Sequence, residues 1–266
     1  MELIKKLREL TGAGMVDCQK ALKETNNDID AAIEVLRKKG IAKAAKRGDR
    51  EANEGVIKVA VSDDNKEAYI LELNSETDFV SRNDKFQEMA ENILEVIKNN
   101  KPENKEELLK LDLNGQSVED ALANLSGTIG EKMEINNFAI ISGSSVAAYS
   151  HLGGKIAAIV SLDQEGKADI ASEVAMQVAA SNPRYIRPDE VSSEDIEKEK
   201  EIQKEQLLKE GKPADMIDRI VEGKMGKYYS EVCLIEQEFI KDDKKKVKDI
   251  LDGANVLEFV RFSLSN

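Results

Sequence analysis

The spacing of apolar residues changes from helical to strand-like about one fifth of the way along the chain. Before this change, Leu3, Leu7 and Leu10 recur three and four residues apart, which is typical of an amphipathic helix. After it, two apolar stretches at 56–61 and 68–73 flank a polar turn, which predicts a β-hairpin. We therefore expect an α+β fold with helices first and antiparallel strands after them.

Three short helices are predicted within the first 40 residues. The first helix ends at the break Thr11–Gly14, and the second covers Asp17–Lys23. The third follows Asp28, a residue type that commonly caps helix N-termini, and is expected to stop at Gly40. Because so short a segment buries little apolar surface, we expect a small and marginally stable helical domain over residues 1–40.

Residues 37–50 reverse the charge of the rest of the chain. They carry seven basic side chains and one acidic one, whereas the whole sequence has a net charge of -13. One interpretation is a solvated linker between two domains, which we place at residues 41–54. The other is an electrostatic contact with an acidic patch on a partner.

The predicted elements of the core occur in an order that repeats. The order strand, strand, helix, helix, strand covers residues 55–142. A second hairpin at Ser145–Ser150 and Lys155–Leu162, followed by a helix at Asp169–Ala180, begins the order again. The pattern predicts two related α/β subdomains with antiparallel strands, although identity between the halves is too low to establish a duplication. Their expected ranges are 55–142 for the first and 143–187 with 230–266 for the second.

Residues 188–229 are highly charged and carry only widely spaced apolar side chains, with a break at Gly211–Pro213. A narrow apolar stripe on each side of such a turn predicts two antiparallel helices that pack mainly on each other. We expect this helical-hairpin, or coiled-coil, arm to be inserted into the second subdomain. That subdomain would resume with strands at Leu234–Phe239 and Leu257–Leu264 and a helix at Lys244–Leu251.

The sequence offers no enzyme active site. It contains no phosphate-binding glycine loop, no GxSxG and no HExxH motif. His151 is the only histidine, and beside two glycines it is more typical of a structural or contact residue than of a catalytic one. Cys18 and Cys233 lie far apart without a histidine cluster, so we expect no metal site and no cofactor.

The charge balance favours a protein partner. Acidic residues outnumber basic ones by 52 to 39, whereas a large nucleic-acid interface needs a dense basic surface. The N-terminal sequence MELIKKLREL is typical of a helix rather than a secretion signal, and no apolar stretch approaches membrane-spanning length. We therefore expect a cytoplasmic protein that binds neither nucleic acid nor a membrane.

One connecting segment, Leu73–Asn83, places Phe79 among polar, turn-forming residues between a strand and a helix. In one interpretation, Phe79 and Val80 form a hydrophobic staple for the following helix, with Ser81 or Asn83 as its cap. In the other, the segment is an exposed contact loop, since connecting segments lie at the surface and often carry function.

Two stretches of this sequence resemble the elongation factor Ts family. LRELTGAGMVDCQKAL at Leu7–Leu22 is similar to the family's N-terminal helical domain, whose fold is like that of ubiquitin-associated domains. ELNSETDFVSRNDKF at Glu72–Phe86 contains the family's Thr-Asp-Phe-Val motif. Further similarity extends the resemblance over nearly the whole chain, at His151–Lys155, Asp169–Pro183 and Leu234–Asp242.

The resemblance implies a non-catalytic guanine-nucleotide exchange factor for elongation factor Tu. Such a factor binds the GDP-bound and nucleotide-free GTPase and promotes GDP release during translation elongation. The resemblance also implies that the basic run orients the N-terminal domain relative to the core. The loop that disturbs the partner's magnesium and phosphate site would comprise Thr77, Asp78, Phe79 and Val80. Other contacts with elongation factor Tu would come from Leu10, Gly12, Met15, His151, Leu152 and Gly153.

Several alternatives remain open at the level of sequence. The first 40 residues alone would permit a ubiquitin-associated-type adaptor, although an adaptor needs neither the rest of the chain nor the Thr-Asp-Phe-Val loop. An enzyme is disfavoured by the absence of motifs. Gly153 and Gly154 could simply form the turn of their hairpin. The protein could act in a 1:1 complex with elongation factor Tu, as a homodimer or in a two-to-two assembly.

Overall fold

Three N-terminal helices are followed by two antiparallel sheets with interleaved helices. The computed structural model describes residues 1–264, apart from the side chains at positions 43, 45, 214 and 215. The α+β class predicted from the sequence is confirmed. The predicted second subdomain runs to residue 266, and its last two residues lie outside the described part of the chain.

The three N-terminal helices enclose a small core of their own. Asp28 caps the third helix by accepting a hydrogen bond of 3.0 Å from the backbone N–H of Ala31. The helices are α1 (Glu2–Thr11), α2 (Met15–Glu24) and α3 (Ile29–Ala45). The buried residues between them are Leu7, Cys18, Ala21, Leu22, Ala32 and Leu36. Similarity of this unit to ubiquitin-associated domains stays a prediction.

The third helix does not stop at Gly40, so that prediction is wrong. Helix α3 continues through Gly40 to Ala45 and crosses α7 (Val118–Ile129) at Gly127. A Cβ atom on Gly127 would lie only 2.5 Å from the Cα of Gly40. Gly40 therefore permits a close approach of two helix backbones instead of ending a helix.

The first half of the core is a three-stranded antiparallel sheet covered by helices. The strand order is β1-β2-β5, so the strand that closes this half pairs with the second strand of the opening hairpin. Its elements besides α7 are β1 (Glu54–Val61), β2 (Glu67–Ser75), α4 (Asp78–Ser81), α5 (Asp84–Asn100), α6 (Lys105–Lys110), β3 (Asp112–Leu113), β4 (Gln116–Ser117) and β5 (Met133–Ser142).

The second half has the same topology. Its strands pair in the order β6-β7-β10, a small two-stranded ribbon again precedes the last helix, and the closing strand again pairs with the second strand. Its elements are β6 (Ser145–His151), β7 (Ile156–Leu162), α8 (Ala168–Ser181), α9 (Ser193–Lys209), α10 (Ala214–Val232), β8 (Glu238–Phe239), β9 (Asp242–Lys246), α11 (Val247–Ile250) and β10 (Val256–Ser263).

Two boundaries in the second half differ from the prediction. The expected strand at Leu234–Phe239 is a 3₁₀ turn over Leu234–Glu236 and only then the short strand β8. The expected helix start at Lys244 is wrong, because residues 242–246 form β9. The buried side chain of Gln177 accepts the backbone N–H of Ile240 at 2.9 Å, so a tertiary contact holds this ribbon against the local sequence preference.

The two sheets lie face to face, with helices on both outer sides. Alternate residues of β2 point to opposite faces, so Ile70 lies between the sheets and Leu71 packs under helices α5 and α7. In the second half, Val174 of α8 and Val247 of α11 cover the outer face of the other sheet. The result is a helix, sheet, sheet, helix arrangement that buries the central strands β2 and β7 on both faces.

Helices α9 and α10 are joined by a short turn at residues 210–213 and pack on each other in antiparallel fashion. Their shared core is small, with buried Leu207, Ile217 and Val221. Lys204 of α9 pairs with Asp218 of α10 at 2.8 Å. Whether the pair is a true coiled coil stays a prediction. None of the described helices combines the length and the apolar character needed to cross a membrane.

Candidate partner-binding site

The segment between β2 and α5, which we call the Phe79 loop (residues 76–83), presents one aromatic side chain to solvent. Phe79 is 83% exposed on the four-residue helix α4, whereas its neighbour Val80 is 8% exposed and packs in the core of the first half. Asn83 caps α5 by accepting the N–H of Lys85, as one interpretation of the sequence required. The prediction that Phe79 takes part in a hydrophobic staple is wrong, because its ring is exposed and does not pack on the following helix.

Thr77 stands at the N-cap position of α4 but does not cap it. Its backbone N–H donates to Oε2 of Glu131 at 3.0 Å, and its hydroxyl donates to Oε1 of the same carboxylate at 2.7 Å. One carboxylate thus takes both polar donors of Thr77, in the two-pronged geometry that makes charge-assisted hydrogen bonds strong.

Glu76, the residue before Thr77, also bonds to the segment after α7, but here the loop residue is the acceptor. Its carboxylate accepts the backbone N–H of Lys132 at 2.6 Å and the guanidinium of Arg50 at 3.1 Å. The backbone hydrogen bond of Lys132, and next the Arg50 side chain, hold the pKa of Glu76 below its usual range. The start of the Phe79 loop is therefore tied to residues 131 and 132, just after α7.

Asp78 is half-exposed and pairs with Arg82 at 2.9 Å, one helical turn further on. An exposed pair of this kind contributes little to stability. Asp78 can therefore exchange Arg82 for another partner at small cost.

The N-terminal residues predicted as contacts divide into two kinds. Leu10 and Met15 are 59% and 49% exposed. Gly12 instead ends α1 with a left-handed backbone (φ 67°), and a Cβ there would lie 2.7 Å from Nζ of Lys85 at the start of α5. Gly12 thus places the turn between α1 and α2 beside the Phe79 loop.

Val16 was missed by sequence reasoning, although it is 63% exposed. It lies on the face of α2 opposite the buried Cys18 and Ala21. The helical spacing of the two buried residues was a readable signal that Val16 points outward.

The hairpin tip between β6 and β7 is also exposed. His151, Leu152 and Gly153 are solvent-accessible, and Leu152 has a left-handed backbone (φ 51°) that is uncommon for a side chain of its size. Gly154 is buried, and a Cβ there would meet the carbonyl oxygen of Ile57 at 2.8 Å. Gly154 therefore permits a close approach to β1, where its carbonyl accepts the N–H of Ile57 at 2.7 Å, while Leu152 is exposed.

The basic run contacts the chain's own core. Arg37 pairs with Asp120 at the start of α7, and Arg47 donates to the carbonyl of Ser126 at 3.0 Å. Together with Arg50 on Glu76, these contacts join the end of α3 to α7 and to the Phe79 loop. The two interpretations of the charge pattern, a solvated linker and a contact with a partner, did not include contacts with the chain's own core. A role for the basic run in orienting the N-terminal domain was implied only by the family resemblance.

Within residues 1–264, no three His, Cys, Asp or Glu side chains gather closely enough to hold a metal ion. Cys18 and Cys233 are both buried. Burial raises the pKa of the Cys233 thiol to about 11, so little of it is thiolate at neutral pH.

Comparison with known proteins gives the family of this chain. The family model described as Elongation factor TS matches residues 76–266. The elongation factor Ts of Deinococcus deserti is 45% identical over 264 residues, which is 99% of each chain. The chain belongs to the elongation factor Ts family. Membership implies a nucleotide exchange factor that acts on elongation factor Tu in translation elongation. The Phe79 loop lies inside the region that the elongation factor Ts model matches, and the similarity to the Deinococcus protein extends over the N-terminal helices.

Proposed function

We propose that this protein promotes GDP release from elongation factor Tu by inserting the side chain of Phe79 near the magnesium and phosphate site of the GTPase. The observation that carries the proposal is the 83% exposure of Phe79 beside a neighbour, Val80, that is anchored in the core. A large apolar side chain held in water on a fixed base is what an interface anchor requires.

The energy available from one phenylalanine is sufficient for a large effect. Removing roughly 150 Å² of aromatic surface from water contributes about 4 kcal/mol at about 25 cal/mol/Å². Each tenfold gain in release rate needs about 1.4 kcal/mol. Only the part of this energy that is realised on the way to the nucleotide-free partner accelerates release, because equal binding to both states changes no rate. Phe79 alone could therefore supply up to two or three factors of ten.

Separate surfaces would hold the partner while Phe79 acts. Leu10, Met15 and Val16 are three exposed apolar side chains near the turn between α1 and α2. Leu152 offers a second exposed apolar contact at the β6–β7 hairpin tip, with His151 and Gly153 beside it. Isolated exposed apolar residues are ordinary, but such a group on one small unit is typical of an interface. We assign docking to these surfaces and disruption of the nucleotide site to the Phe79 loop.

The test measures release of a fluorescent GDP analogue from purified elongation factor Tu with wild-type protein, Phe79→Ala and Leu257→Ala. Leu257 is a matched control, because it is 51% exposed but lies on β10 in the other sheet. We expect the wild type and Leu257→Ala to accelerate release and Phe79→Ala to lose most of the effect while keeping its melting temperature.

The outcomes separate function from mechanism. If no variant, including the wild type, accelerates release, the exchange function is wrong for this chain. If Phe79→Ala accelerates as well as the wild type, the exchange function stands and the role of Phe79 is wrong.

A further inference from the structure

We infer that Glu131 is a positioning residue that fixes the direction in which Phe79 points. The inference rests on the proposed function, since it concerns the same loop. Glu131 lies 54 residues beyond Thr77 in the sequence, and its carboxylate accepts both the N–H and the hydroxyl of Thr77.

The hydroxyl of Thr77 departs from its ordinary use. A threonine at an N-cap usually accepts a hydrogen bond from the first turn of its helix. Here the hydroxyl donates to Glu131, and α4 has no side-chain cap. Departures from such local rules concentrate where a segment serves function. The hydrogen bond therefore ties the start of α4 to a residue distant in sequence instead of capping the helix.

Glu131 is itself held in place. Helix α7 ends at Gly130, whose left-handed backbone (φ 100°) turns the chain toward β5. The buried hydroxyl of Ser126 donates to the carbonyl of Glu131 at 2.5 Å, and the carbonyl of Ser126 accepts from Arg47. The carboxylate therefore projects from a fixed backbone rather than from a free loop.

Two fixed points then define the short helix that carries Phe79. Val80 anchors α4 from below in the core, and Thr77 anchors its beginning through Glu131. The carbonyl of Thr77 accepts the N–H of Ser81 at 3.2 Å, so the one turn of α4 is built on Thr77. Phe79 lies between the two anchors. Glu76, the residue before Thr77, also bonds to the segment after α7, but Glu131 supplies the contacts to the N–H and the hydroxyl of Thr77 itself. Without Glu131, the first residue of this turn loses both contacts and Phe79 samples a wider range of directions.

A pre-set direction matters for the rate more than for docking. If the Phe79 ring had to become ordered during insertion, the loss of conformational entropy would lower the rate of insertion. A ring that is already ordered in the folded protein avoids this loss. The described hydrogen bonds of Glu131 and Thr77 run to each other and to Ser75, Ser81 and Ser126, and none runs to the docking residues Leu10, Met15 or Leu152. Loss of the Glu131 contact should therefore lower the release rate at saturating protein and leave the half-saturating concentration nearly unchanged.

The experiment uses the full chain with Glu131→Gln, which keeps the size but loses one acceptor oxygen, and Thr77→Val, which keeps the shape but loses the hydroxyl. Glu134→Gln is the matched control, because Glu134 pairs with Lys132 in the same segment at 2.9 Å. We expect about a tenfold lower maximal release rate for the first two variants, which corresponds to about 1.4 kcal/mol, and no change for the control. Thr77→Ser should lie closer to wild type than Thr77→Val.

A double-mutant cycle with Phe79→Ala decides whether Glu131 acts through Phe79. We expect Glu131→Gln to have no further effect once the ring is absent. An equal loss in both backgrounds would overturn the inference, because Glu131 would then act independently of Phe79. If Phe79→Ala impairs exchange but Glu131→Gln and Thr77→Val behave like the control, this inference is wrong and the proposed function stands.

Discussion

Phe79 and Val80 are sequence neighbours with opposite surroundings, and the difference explains how a loop can present an exposed aromatic ring while it is fixed in place. Val80 is 8% exposed in the main core, and Phe79 is 83% exposed one residue earlier. On a single helical turn, consecutive side chains point about 100° apart, so a buried residue at one position directs its neighbour outward. The anchor and the exposed ring are therefore one local design.

Glu76 gives the Phe79 loop a measurable pH dependence. Its pKa is lowered in the folded chain by the N–H of Lys132 and by Arg50, so the stabilisation is present above the ordinary pKa of about 4.3 and is lost as the pH falls through the folded value. We expect Glu76→Gln to lower the free energy of unfolding by about 1 kcal/mol at pH 7 and by progressively less toward pH 4.

Urea denaturation at pH 7, 5 and 4 measures this difference. Glu88→Gln on α5 is the control, because Glu88 is exposed and its replacement should change stability by less than about 0.5 kcal/mol at each pH. A Glu76→Gln deficit that grows toward acid pH would contradict the assignment.

At the residue scale, the sequence indicated which side chain stands out but not what holds it. Phe79 could be singled out because an aromatic among turn-forming residues is locally visible. Glu131 could not, since its contact with Thr77 depends on how α7 and β5 are placed in space. The helix before Glu131 carried a local signal, since Ser117 caps the start of α7 and Gly130 ends it.

At the element scale, the crossing of α3 and α7 depends on two glycines that have no side chains to separate the helices. A Cβ on Gly127 would lie 2.5 Å from the Cα and 2.9 Å from the carbonyl oxygen of Gly40. Backbone atoms cannot move aside as a flexible side chain can. We therefore expect Gly127→Ala to cost about 2 kcal/mol and to loosen α3 from the core.

Thermal or urea denaturation measures the loss, and faster tryptic cleavage within residues 41–54 reports the loosening. The control is Gly223→Ala, because Gly223 lies in helix α10 with open space around it and alanine there should add about 0.5 kcal/mol. Equal stabilisation by both substitutions would mean that the helices do not meet at Gly127.

The same crossing explains why one helix boundary could not be predicted. A glycine after an apolar helical pattern ordinarily marks a C-cap, which made Gly40 a reasonable stop. Its actual use depends on Gly127, 87 positions later, and no local pattern reports a contact at that separation. The antiparallel pairing of α9 and α10, by contrast, was predictable because both helices and their turn are adjacent in sequence.

At the scale of the whole molecule, the two halves of the core share a topology that the sequence could only suggest. Hairpin periodicity predicted the opening strands of both halves. The pairing of each closing strand with the second strand of its hairpin is a long-range choice, set by which faces the helices cover. The arm interrupts the second half between α8 and β8, where the first half has α6.

The molecule also has cores of unequal size, which predicts that it does not unfold uniformly. The N-terminal helices bury six residues in their own core, whereas the first half of the sheet core buries three times as many side chains. Regions with small cores open at lower free energy than the remainder of a protein. The glycine crossing and the three arginines attach the helices to the core but do not enlarge their core.

The two buried cysteines report on these regions separately, since Cys18 lies within the N-terminal helices and Cys233 at the junction of α10 with the second half. In the single-cysteine variants Cys233→Ala and Cys18→Ala, pulses of N-ethylmaleimide at increasing urea should label Cys18 at a lower midpoint than Cys233. Midpoints are compared rather than rates, because rates depend on thiolate content. Coincident midpoints would show that attachment through α7 makes the helices unfold together with the core as one cooperative unit.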